Sequence, residues 1–271
     1  NITTHRSEVV SKTLPDGSQV QMSLRHRPGT VAIAAAIQNK YKLAVVPHII
    51  CSGFTRAETE YALIDLNFLG INNLLVLRGD KAKSDPHYIV GKDSHAHAID
   101  LQKQIETYNK GVFLDKTSFE KPSTPFSYGV AGYPELHEDA KDFEEDLYWL
   151  KEKVKAGAEY IVTQMFFDNE KYFSFVDKCR EAGINVPIIP GLKPLTLVSQ
   201  LEILPKVFHL EIPEEFAKEV RKCKTKEASR AVGIEWCTKQ ALELKKRGVP
   251  SIHFYSLNAI DSVKKVAKEV Y

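Results

Sequence analysis

The stretch SYGVAGYPELHEDAKDFEEDLYWLKEKVKAGAEYIVTQM, residues 127–165, contains the pattern that decides the fold. It begins and ends with short apolar runs, Ser127–Gly132 and Tyr160–Met165, which are typical of strands buried on both faces of a sheet. Between them, residues 138–156 repeat apolar side chains at alternating spacings of three and four: Ala140, Phe143, Leu147, Leu150 and Val154. Acidic residues begin this helix, lysines end it and Gly157 follows. The stretch therefore predicts a strand, a helix and a parallel strand.

The same alternation runs through most of the chain. Apolar runs predict seven strands, at residues 2–4, 44–51, Asn73–Leu77, Ser127–Gly132, Tyr160–Met165, 186–191 and 252–257. Helical periodicity is found at residues 55–69, 138–156, 170–182, 196–205 and 224–246. Residues 8–24 differ, because they alternate around Pro15-Asp16-Gly17 and predict an inserted hairpin before a helix that follows Arg27-Pro28-Gly29.

Seven such units fit either an open doubly wound sheet or a (β/α)8 barrel. The barrel is the more economical choice, since it needs about 250 residues and eight strands. We therefore expect an α/β fold of the (β/α)8 TIM-barrel type, forming a single domain over residues 1–271. Its first strand and helix are expected upstream of Asn1, because the chain begins within the first visible strand.

Composition excludes several classes of protein. The 37 Lys and Arg against 35 Asp and Glu give a net charge of +2, which does not indicate a nucleic-acid partner. The longest apolar run, residues 31–37, is far shorter than the roughly 20 residues of a membrane span. The 4 cysteines are widely spaced and no signal peptide begins the chain, so we expect a cytoplasmic protein.

Polar residues lie in the second half of the predicted strands or just after them, towards the end where a barrel carries its active site. They are Thr3, Thr4, His5, His48, Arg78, Gly79, Asp80, Tyr133, Glu135, His137, Gln164, Lys193, Tyr255 and Asn258. Some of these residues also have a purely structural interpretation. His48 could be a core histidine, and Arg78-Gly79-Asp80 a charged turn. Cys51, which ends the second predicted strand, could be a buried thiol.

Several kinds of site are not supported. The chain has no Gly-rich dinucleotide fingerprint and no phosphate-binding P-loop. His95 with His97, and Glu135 with His137, have the spacing of paired metal ligands but lack a third ligand at a recognisable distance. We therefore expect no metal site.

The helix at residues 138–156 carries a second stripe, about 100° from its apolar one. The stripe consists of Asp142, Asp146, Trp149 and Lys153. A solvated face is the simplest interpretation, but a tryptophan is unusual there. An aromatic plane beside a lysine could instead hold an adenine or ribose and a phosphate.

Taken together, several segments resemble one family along essentially the whole chain. They are PHIIC (47–51), LGINNLLVLRGD (69–80), GVAGYPELHEDA (129–140), IVTQMFFDNEKYFSF (161–175), VPIIPGLKP (186–194) and IHFYSLN (252–258). The chain resembles the methylenetetrahydrofolate reductases, flavin-dependent enzymes of one-carbon metabolism. The resemblance implies a (β/α)8 barrel with FAD at its C-terminal mouth. It also implies a ping-pong reaction, in which NADH or NADPH reduces FAD and reduced FAD converts 5,10-methylenetetrahydrofolate to 5-methyltetrahydrofolate.

The resemblance also assigns residues to roles. Those expected to line the FAD are Thr3, His48, Arg78, Gly79, Asp80, His97, Ala98, Ala131, Tyr133, His137, Asp146, Trp149 and Lys153. Asp80 would also tune the flavin and help to stabilise the folate cation. Gln164 and Gln200 would hydrogen-bond the folate, Gln164 would also reach the nicotinamide, and Tyr255 and Leu257 would border the substrate.

Some positions depart from the family pattern. His97 stands where a Tyr is common, Trp149 where an Asn is usual, Glu152 where a basic residue often reaches the FAD phosphates, and Ala259 where an Arg often binds the folate tail. The general acid of the family is a Glu in the first strand, upstream of Asn1, so we expect the active site of the printed sequence to be incomplete.

Two other functions stay open. One is a Schiff-base aldolase that uses Lys193 as its nucleophile. The other is a non-catalytic flavin-binding barrel. The outward-facing helices of a barrel also offer surfaces on which a homo-oligomer could form.

Overall fold

Parallel strands and helices alternate along the chain in the computed structural model, which describes residues 8–24, 27–79, 90–137, 139–257 and 259–271. One sheet is an antiparallel hairpin of β1 (Glu8–Thr13) and β2 (Gln19–Leu24). The other has the order β3-β4-β5-β6-β7-β8, and its strands are His48–Ile50, Asn73–Leu77, Ser127–Gly132, Tyr160–Met165, Ile188–Leu192 and His253–Phe254. Sequential parallel strands are the arrangement of a (β/α)8 barrel, so the predicted fold class and the inserted hairpin are confirmed.

Helices connect the strands of the parallel sheet. Within the described ranges they are α1 (Thr30–Tyr41), α2 (Arg56–Phe68), α3 (Ala98–Asn109), α4 (Phe143–Lys155), α5 (Asn169–Glu181), α6 (Gln200–Phe208), α7 (Glu214–Arg221), α8 (Lys226–Lys246) and α9 (Ile260–Val270). The sequence patterns predicted α1, α2, α4, α5, α6 and α8. They missed α3, α7 and α9. The strand predicted at residues 2–4 lies outside the described residues.

Prolines explain why two strands begin later than predicted. Pro47 and Pro187 have no backbone N–H to donate to a ladder, so β3 begins at His48 and β7 at Ile188. Their carbonyls still accept hydrogen bonds, from the N–H of Leu75 at 3.0 Å and of Ile161 at 2.8 Å.

Side-chain caps set where the helices begin. Thr55 and Glu58 form a reciprocal capping box, which begins α2 one residue later than the predicted 55–69. The predicted helix 138–156 begins only at Phe143, after the carboxylate of Asp142 accepts a 2.9 Å hydrogen bond from the N–H of Glu145. The predicted helix 196–205 begins at Gln200 and continues through Pro205 to Phe208.

The chain divides into two compact units, each with its own apolar interior. The first is Asn1–Val130 with Ala156–Ala158, and the second is Ala131–Lys155 with Glu159–Tyr271. In the first, α2 and α3 bury side chains that include Leu63, Leu66, Leu101 and Ile105. In the second, a core cluster consists of Met165, Phe167, Leu195, Leu204, Leu210, Phe216 and Val220.

None of the helices in the described ranges is long and apolar enough to cross a membrane.

Candidate functional site

In the first unit, the ends of β3 and β4 approach closely. The N–H of Cys51 donates to the Leu77 carbonyl at 3.2 Å, and the N–H of Ser52 donates to the Arg78 carbonyl at 3.0 Å, so pairing continues beyond both strands. Gly79 follows with a φ of +85°, and a Cβ added to it would lie 2.1 Å from the Ser52 hydroxyl oxygen. Only glycine fits at this point.

The residues expected to line the cofactor in this unit lie at strand and helix ends. His48 begins β3 and Arg78 directly follows β4. His97 is the exposed N-cap residue of α3 and Ala98 is its first residue. Thr3 and Asp80 lie outside the described residues, so their expected roles stay predictions.

A buried hydrogen-bond network holds the segment before α3, and the sequence analysis missed it. His95 Nε2 lies 2.5 Å from Gln104 Oε1, and Gln104 Nε2 donates to the Arg56 carbonyl at 2.9 Å. Because this assigns Oε1 of Gln104 as the acceptor, Nε2 of His95 carries the proton. Burial lowers the pKa of His95, which keeps the ring neutral. The network therefore fixes the backbone segment that leads to His97.

Cys51 is a structural thiol. It is buried next to the end of β3, and burial raises the pKa of its thiol to about 12. A thiol with such a pKa is not a nucleophile at neutral pH, so this part of the sequence interpretation is confirmed.

In the second unit, hydrogen bonds from side chains to the backbone join α4 to the end of β5 and the loop that follows it. Lys153 Nζ donates to the Ala131 carbonyl at 3.2 Å, and Asp146 Oδ2 accepts a 3.1 Å hydrogen bond from the N–H of His137. The ring of Tyr133 meets His137 edge-on, with 4.5 Å between ring centroids. Helix α4 and the end of β5 thus bring together five residues expected to line the cofactor: Ala131, Tyr133, His137, Asp146 and Lys153.

The electrostatics of this cluster depend on the burial of Asp146. Asp146 is only 9% exposed, so the simplest interpretation, that its stripe is a solvated face, is wrong at this position. Burial raises the pKa of its carboxyl, and the Lys153 ammonium is the largest opposing influence. Trp149, on the same helix, is 48% exposed and packs edge-on against Tyr148. A buried acid, a lysine and an accessible aromatic ring therefore share one helix.

The histidine of this cluster has a defined tautomer when it is neutral. The N–H of Asp139 donates to His137 Nδ1 at 3.1 Å, so the proton of the neutral ring sits on Nε2. Leu136, the residue before it, has a φ of +106°, which L-residues rarely adopt. The loop is therefore strained at the point where it presents His137.

The residues expected to bind folate lie near the ends of β6 and β8 and at the start of α6. Gln164 Oε1 accepts from the N–H of Met165 at 2.9 Å, where the β6–β7 register is irregular. The Tyr255 hydroxyl donates to the Thr163 carbonyl at 2.8 Å, and burial raises the pKa of Tyr255. Gly191 allows this approach, because an added Cβ would lie 2.6 Å from the Tyr255 ring.

Gln200 has a structural task as well as its expected ligand role. Its Oε1 accepts from the N–H groups of Thr196 at 2.7 Å and Leu197 at 3.1 Å, which fixes the loop before α6. Leu257 lies after β8 and is exposed.

Lys193 directly follows β7 and is only 2% exposed. Burial lowers the pKa of its ammonium. The nearby Cys237 thiol, itself buried with a pKa of about 12, has a smaller effect in the opposite direction. Among the described residues no carboxylate forms an ion pair with this lysine. Within those same ranges, no three His, Cys, Asp or Glu side chains are grouped to hold a metal ion.

Comparison with known proteins identifies the family. The model of the family described as methylenetetrahydrofolate reductase matches residues 4–271. The 5,10-methylenetetrahydrofolate reductase of Salmonella typhimurium is 32% identical over 233 residues, which cover 86% of this chain and 72% of that protein. The chain belongs to the methylenetetrahydrofolate reductase family.

Longer relatives from eukaryotes match as well. Methylenetetrahydrofolate reductase (NADH) 1 of Arabidopsis thaliana is 31% identical over 239 residues, covering 84% of this chain and 38% of that protein. A probable methylenetetrahydrofolate reductase (NADPH) of Caenorhabditis elegans is 31% identical over 242 residues, covering 88% and 34%. The chain thus spans less than two fifths of the length of these two relatives. The family membership confirms the resemblance noted from the sequence.

Proposed function

We propose that this chain reduces 5,10-methylenetetrahydrofolate to 5-methyltetrahydrofolate with NADH or NADPH, and that FAD is its resident cofactor. The observation that carries the proposal is the cluster at the end of β5, where Asp146 and Lys153 of α4 hold the backbone of His137 and Ala131. Active sites of barrels lie at the C-terminal ends of the strands. The names of the family relatives supply the reaction and the reductant.

The residues present fit a dinucleotide such as FAD. In the second unit, Lys153 offers a cation, Trp149 an accessible aromatic plane and Asp146 a carboxylate, all on α4. These are the groups that would hold a phosphate, an adenine or ribose ring and a hydroxyl, respectively. In the first unit, Gly79 follows β4 next to Ser52, and its φ of +85° turns the chain at the end of that strand.

When bound, FAD supplies a ring that accepts hydride from the nicotinamide and delivers it to the folate. The chain's own residues bind and orient the reactants. Gln164 would direct its amide nitrogen to the folate and to the nicotinamide, since its Oε1 is held by Met165. The amide nitrogen of Gln200 would donate to the folate in the same way. Because both reactants use Gln164, one must leave before the other enters, which is the ping-pong order.

Tyr255 and Leu257 would border the folate. The hydrogen bond from Tyr255 to the Thr163 carbonyl fixes the ring at the junction of β6, β7 and β8, where it would exclude water from the reacting groups. The resemblance to the family also assigns His48, Arg78, His97 and Ala98 to the FAD. Thr3 and Asp80 retain their expected roles, with Asp80 tuning the flavin and stabilising the folate cation.

The proposal is tested by titrating FAD into the flavin-free protein and following the quenching of flavin fluorescence. We expect saturable binding of one FAD per chain, weakened at least about tenfold in Lys153→Met by the loss of a charge-assisted hydrogen bond. Lys151→Met, on the same helix, is the control and should bind FAD as the wild type does. Equal affinity in all three proteins would contradict the assignment of Lys153.

A Schiff-base aldolase is the second candidate, because Lys193 is a buried amine with a lowered pKa at the end of β7. Borohydride trapping of a carbonyl substrate on Lys193, in a protein that binds no flavin, would favour it over the reductase. A protein that binds flavin but does not exchange electrons with NADH or NADPH would indicate the third function, a non-catalytic flavin-binding barrel.

A further inference from the structure

Glu135 carries a half-buried carboxyl group that the proposed mechanism does not use. It follows β5, and its Oε2 accepts a 2.8 Å hydrogen bond from the backbone N–H of Glu211, which lies between α6 and α7. Its other oxygen, Oε1, is covered and has no hydrogen-bond partner among the described residues. One hydrogen bond therefore connects the loop after β5 to a segment 76 residues further along the chain.

The side chain of Glu211 is engaged separately from its backbone. Its carboxylate forms a 2.9 Å ion pair with Lys171, which lies in the first turn of α5. Burial raises the pKa of Glu135, as do the carboxylates of Glu211 and Asp168. The hydrogen bond from Glu211 and the Lys171 ammonium lower it. A change at the Glu211 side chain thus leaves the donor of the hydrogen bond to Glu135 in place.

The residue after Glu135 has a strained backbone. Leu136 has a φ of +106°, a conformation that costs an L-residue free energy. Before it, the side chain of Glu135 accepts from the N–H of Glu211. After it, the N–H of His137 donates to the Asp146 carboxylate. Leu136 therefore lies between two anchors that join the loop to separate parts of the second unit.

The hydrogen bond at Glu135 is strong enough to hold this conformation. A strained residue persists only where its surroundings hold it, and such residues are concentrated at ligand-binding sites. A hydrogen bond to a carboxylate contributes a free energy of the same order as the cost of one positive φ. Without the bond, the backbone at Leu136 can relax to a negative φ, which changes the direction in which the chain enters His137.

We propose that Glu135 is a positioning residue of the candidate site: its hydrogen bond to the Glu211 backbone holds the strained turn at Leu136 and so orients His137 towards bound FAD. The inference rests on the proposed function, in which FAD is the resident cofactor. Glu135 acts as an acceptor of the right length, and its charge is not required. Any acceptor oxygen at the same distance from the backbone should therefore serve.

Two substitutions separate the hydrogen bond from the charge. Glu135→Gln keeps an acceptor oxygen at the same distance and removes the charge, whereas Glu135→Asp keeps the charge and withdraws the acceptor by one methylene group. FAD is titrated into the flavin-free proteins and flavin fluorescence is followed. Glu135→Gln should bind within about threefold of the wild type, and Glu135→Asp at least about tenfold more weakly. The reverse order would show that the charge matters and would overturn the proposal.

Hydrogen exchange measures the state of the loop without FAD. In peptides that cover residues 133–138 and 209–213, exchange should be at least about fivefold faster in Glu135→Asp than in the wild type, and unchanged in Glu135→Gln. Glu211→Ala is the matched control, because it removes the ion pair with Lys171 but keeps the backbone N–H. It should retain the exchange and the FAD affinity of the wild type. A loss in Glu211→Ala as large as that in Glu135→Asp would overturn the proposal.

Glycine at position 136 tests whether the effect passes through the strained turn. Glycine adopts a positive φ at little cost, so Glu135→Asp with Leu136→Gly should bind FAD about threefold or more tightly than Glu135→Asp alone. Circular dichroism must show that each variant is folded, and Glu135→Ala, which also lacks the acceptor, replaces Glu135→Asp if it is not. No gain from glycine, or equal FAD affinity in all variants, would overturn this inference alone. A wild type that binds no FAD would overturn the proposed function as well.

Discussion

The backbone N–H of His137 donates a 3.1 Å hydrogen bond to Oδ2 of Asp146, a carboxylate that is almost fully buried. This bond ties the loop after β5 to the first turn of α4. Lys153, two turns further along the helix, donates to the Ala131 carbonyl and completes the connection. The helix therefore determines where the strand end presents Tyr133 and His137 to a ligand.

The buried carboxyl of Asp146 makes stability depend on pH. Burial raises its pKa in the folded protein above that of the unfolded chain. The folded state consequently binds more protons between the two pKa values, and the free energy of unfolding falls as the pH rises through that window. We expect Asp146→Asn to remove this fall, which urea unfolding from about pH 4 to about pH 7 would measure.

Asp142→Asn is the control for this prediction. Its carboxylate is exposed and caps α4, and asparagine caps a helix as well as aspartate does. The fall in stability should persist in Asp142→Asn, because the buried carboxyl of Asp146 is still present in that variant. Identical pH profiles for Asp146→Asn and the wild type would contradict the burial argument.

Gly79 should tolerate no side chain. Gly79→Ala combines a φ of +85° with a contact to Ser52, and we expect a loss of about 3 kcal/mol in the free energy of unfolding, together with weaker flavin binding. Gly70→Ala has a similar φ of +67° but open space around the added Cβ, so it should cost only about 1 kcal/mol.

Ser52→Ala should partly rescue Gly79→Ala, because it removes the hydroxyl that the new methyl group meets. Chemical unfolding of the four proteins in a double-mutant cycle measures this coupling. Equal losses for Gly70→Ala and Gly79→Ala, or additive effects without rescue, would show that the close approach does not matter.

Lys193→Met should stabilise the protein. Among the described residues no carboxylate pairs with the buried ammonium, so replacing it with an apolar side chain of similar length should gain about 1–3 kcal/mol at neutral pH. The lowered pKa of Lys193 also means that the wild type gains stability as the pH rises towards 10.5, the ordinary value for lysine. The difference in the free energy of unfolding between Lys193→Met and the wild type should become smaller over that pH range. A variant less stable than the wild type would indicate a favourable partner for the ammonium.

Gln164→Ala and Gln200→Ala should differ in their effect on stability but not in their effect on folate. Both should raise the KM for the folate substrate. Gln200→Ala should lower the free energy of unfolding by about 1 kcal/mol and more than Gln164→Ala does, since it loses three hydrogen bonds before α6 and Gln164→Ala loses one, from the neighbouring Met165 N–H. Thr225→Ala removes the N-cap of α8 and should lower stability without changing the folate KM. An unchanged KM in both glutamine variants would refute their assigned role.

Much of the fold is visible in the sequence, because its strands are apolar runs with sharp ends. Asn73–Leu77, Ser127–Gly132 and Tyr160–Met165 have the predicted bounds. Three helices were missed although their periodicity is present. In α3, for example, Leu101, Ile105 and Tyr108 form a buried stripe at spacings of four and three. This helix is about as long as α5 and longer than α6, so the same periodicity is sufficient to predict it.

The candidate site is predictable in residue type but not in geometry. The strand ends identify Tyr133, His137 and Lys193 as polar residues at the active-site end. The burial of Lys193 depends on α8, where Gly233 packs directly on the backbone of Leu195. Such a contact joins segments far apart in the chain, and no local pattern encodes it.

The measurement that tests the central claim most directly is the visible absorption spectrum of the purified protein after reconstitution with FAD. NADH or NADPH is then added without oxygen, followed by 5,10-methylenetetrahydrofolate. We predict a bound-flavin band that the nicotinamide bleaches and that the folate restores, with formation of 5-methyltetrahydrofolate. A protein that binds no flavin, or a flavin band that the nicotinamide does not bleach, would contradict the account.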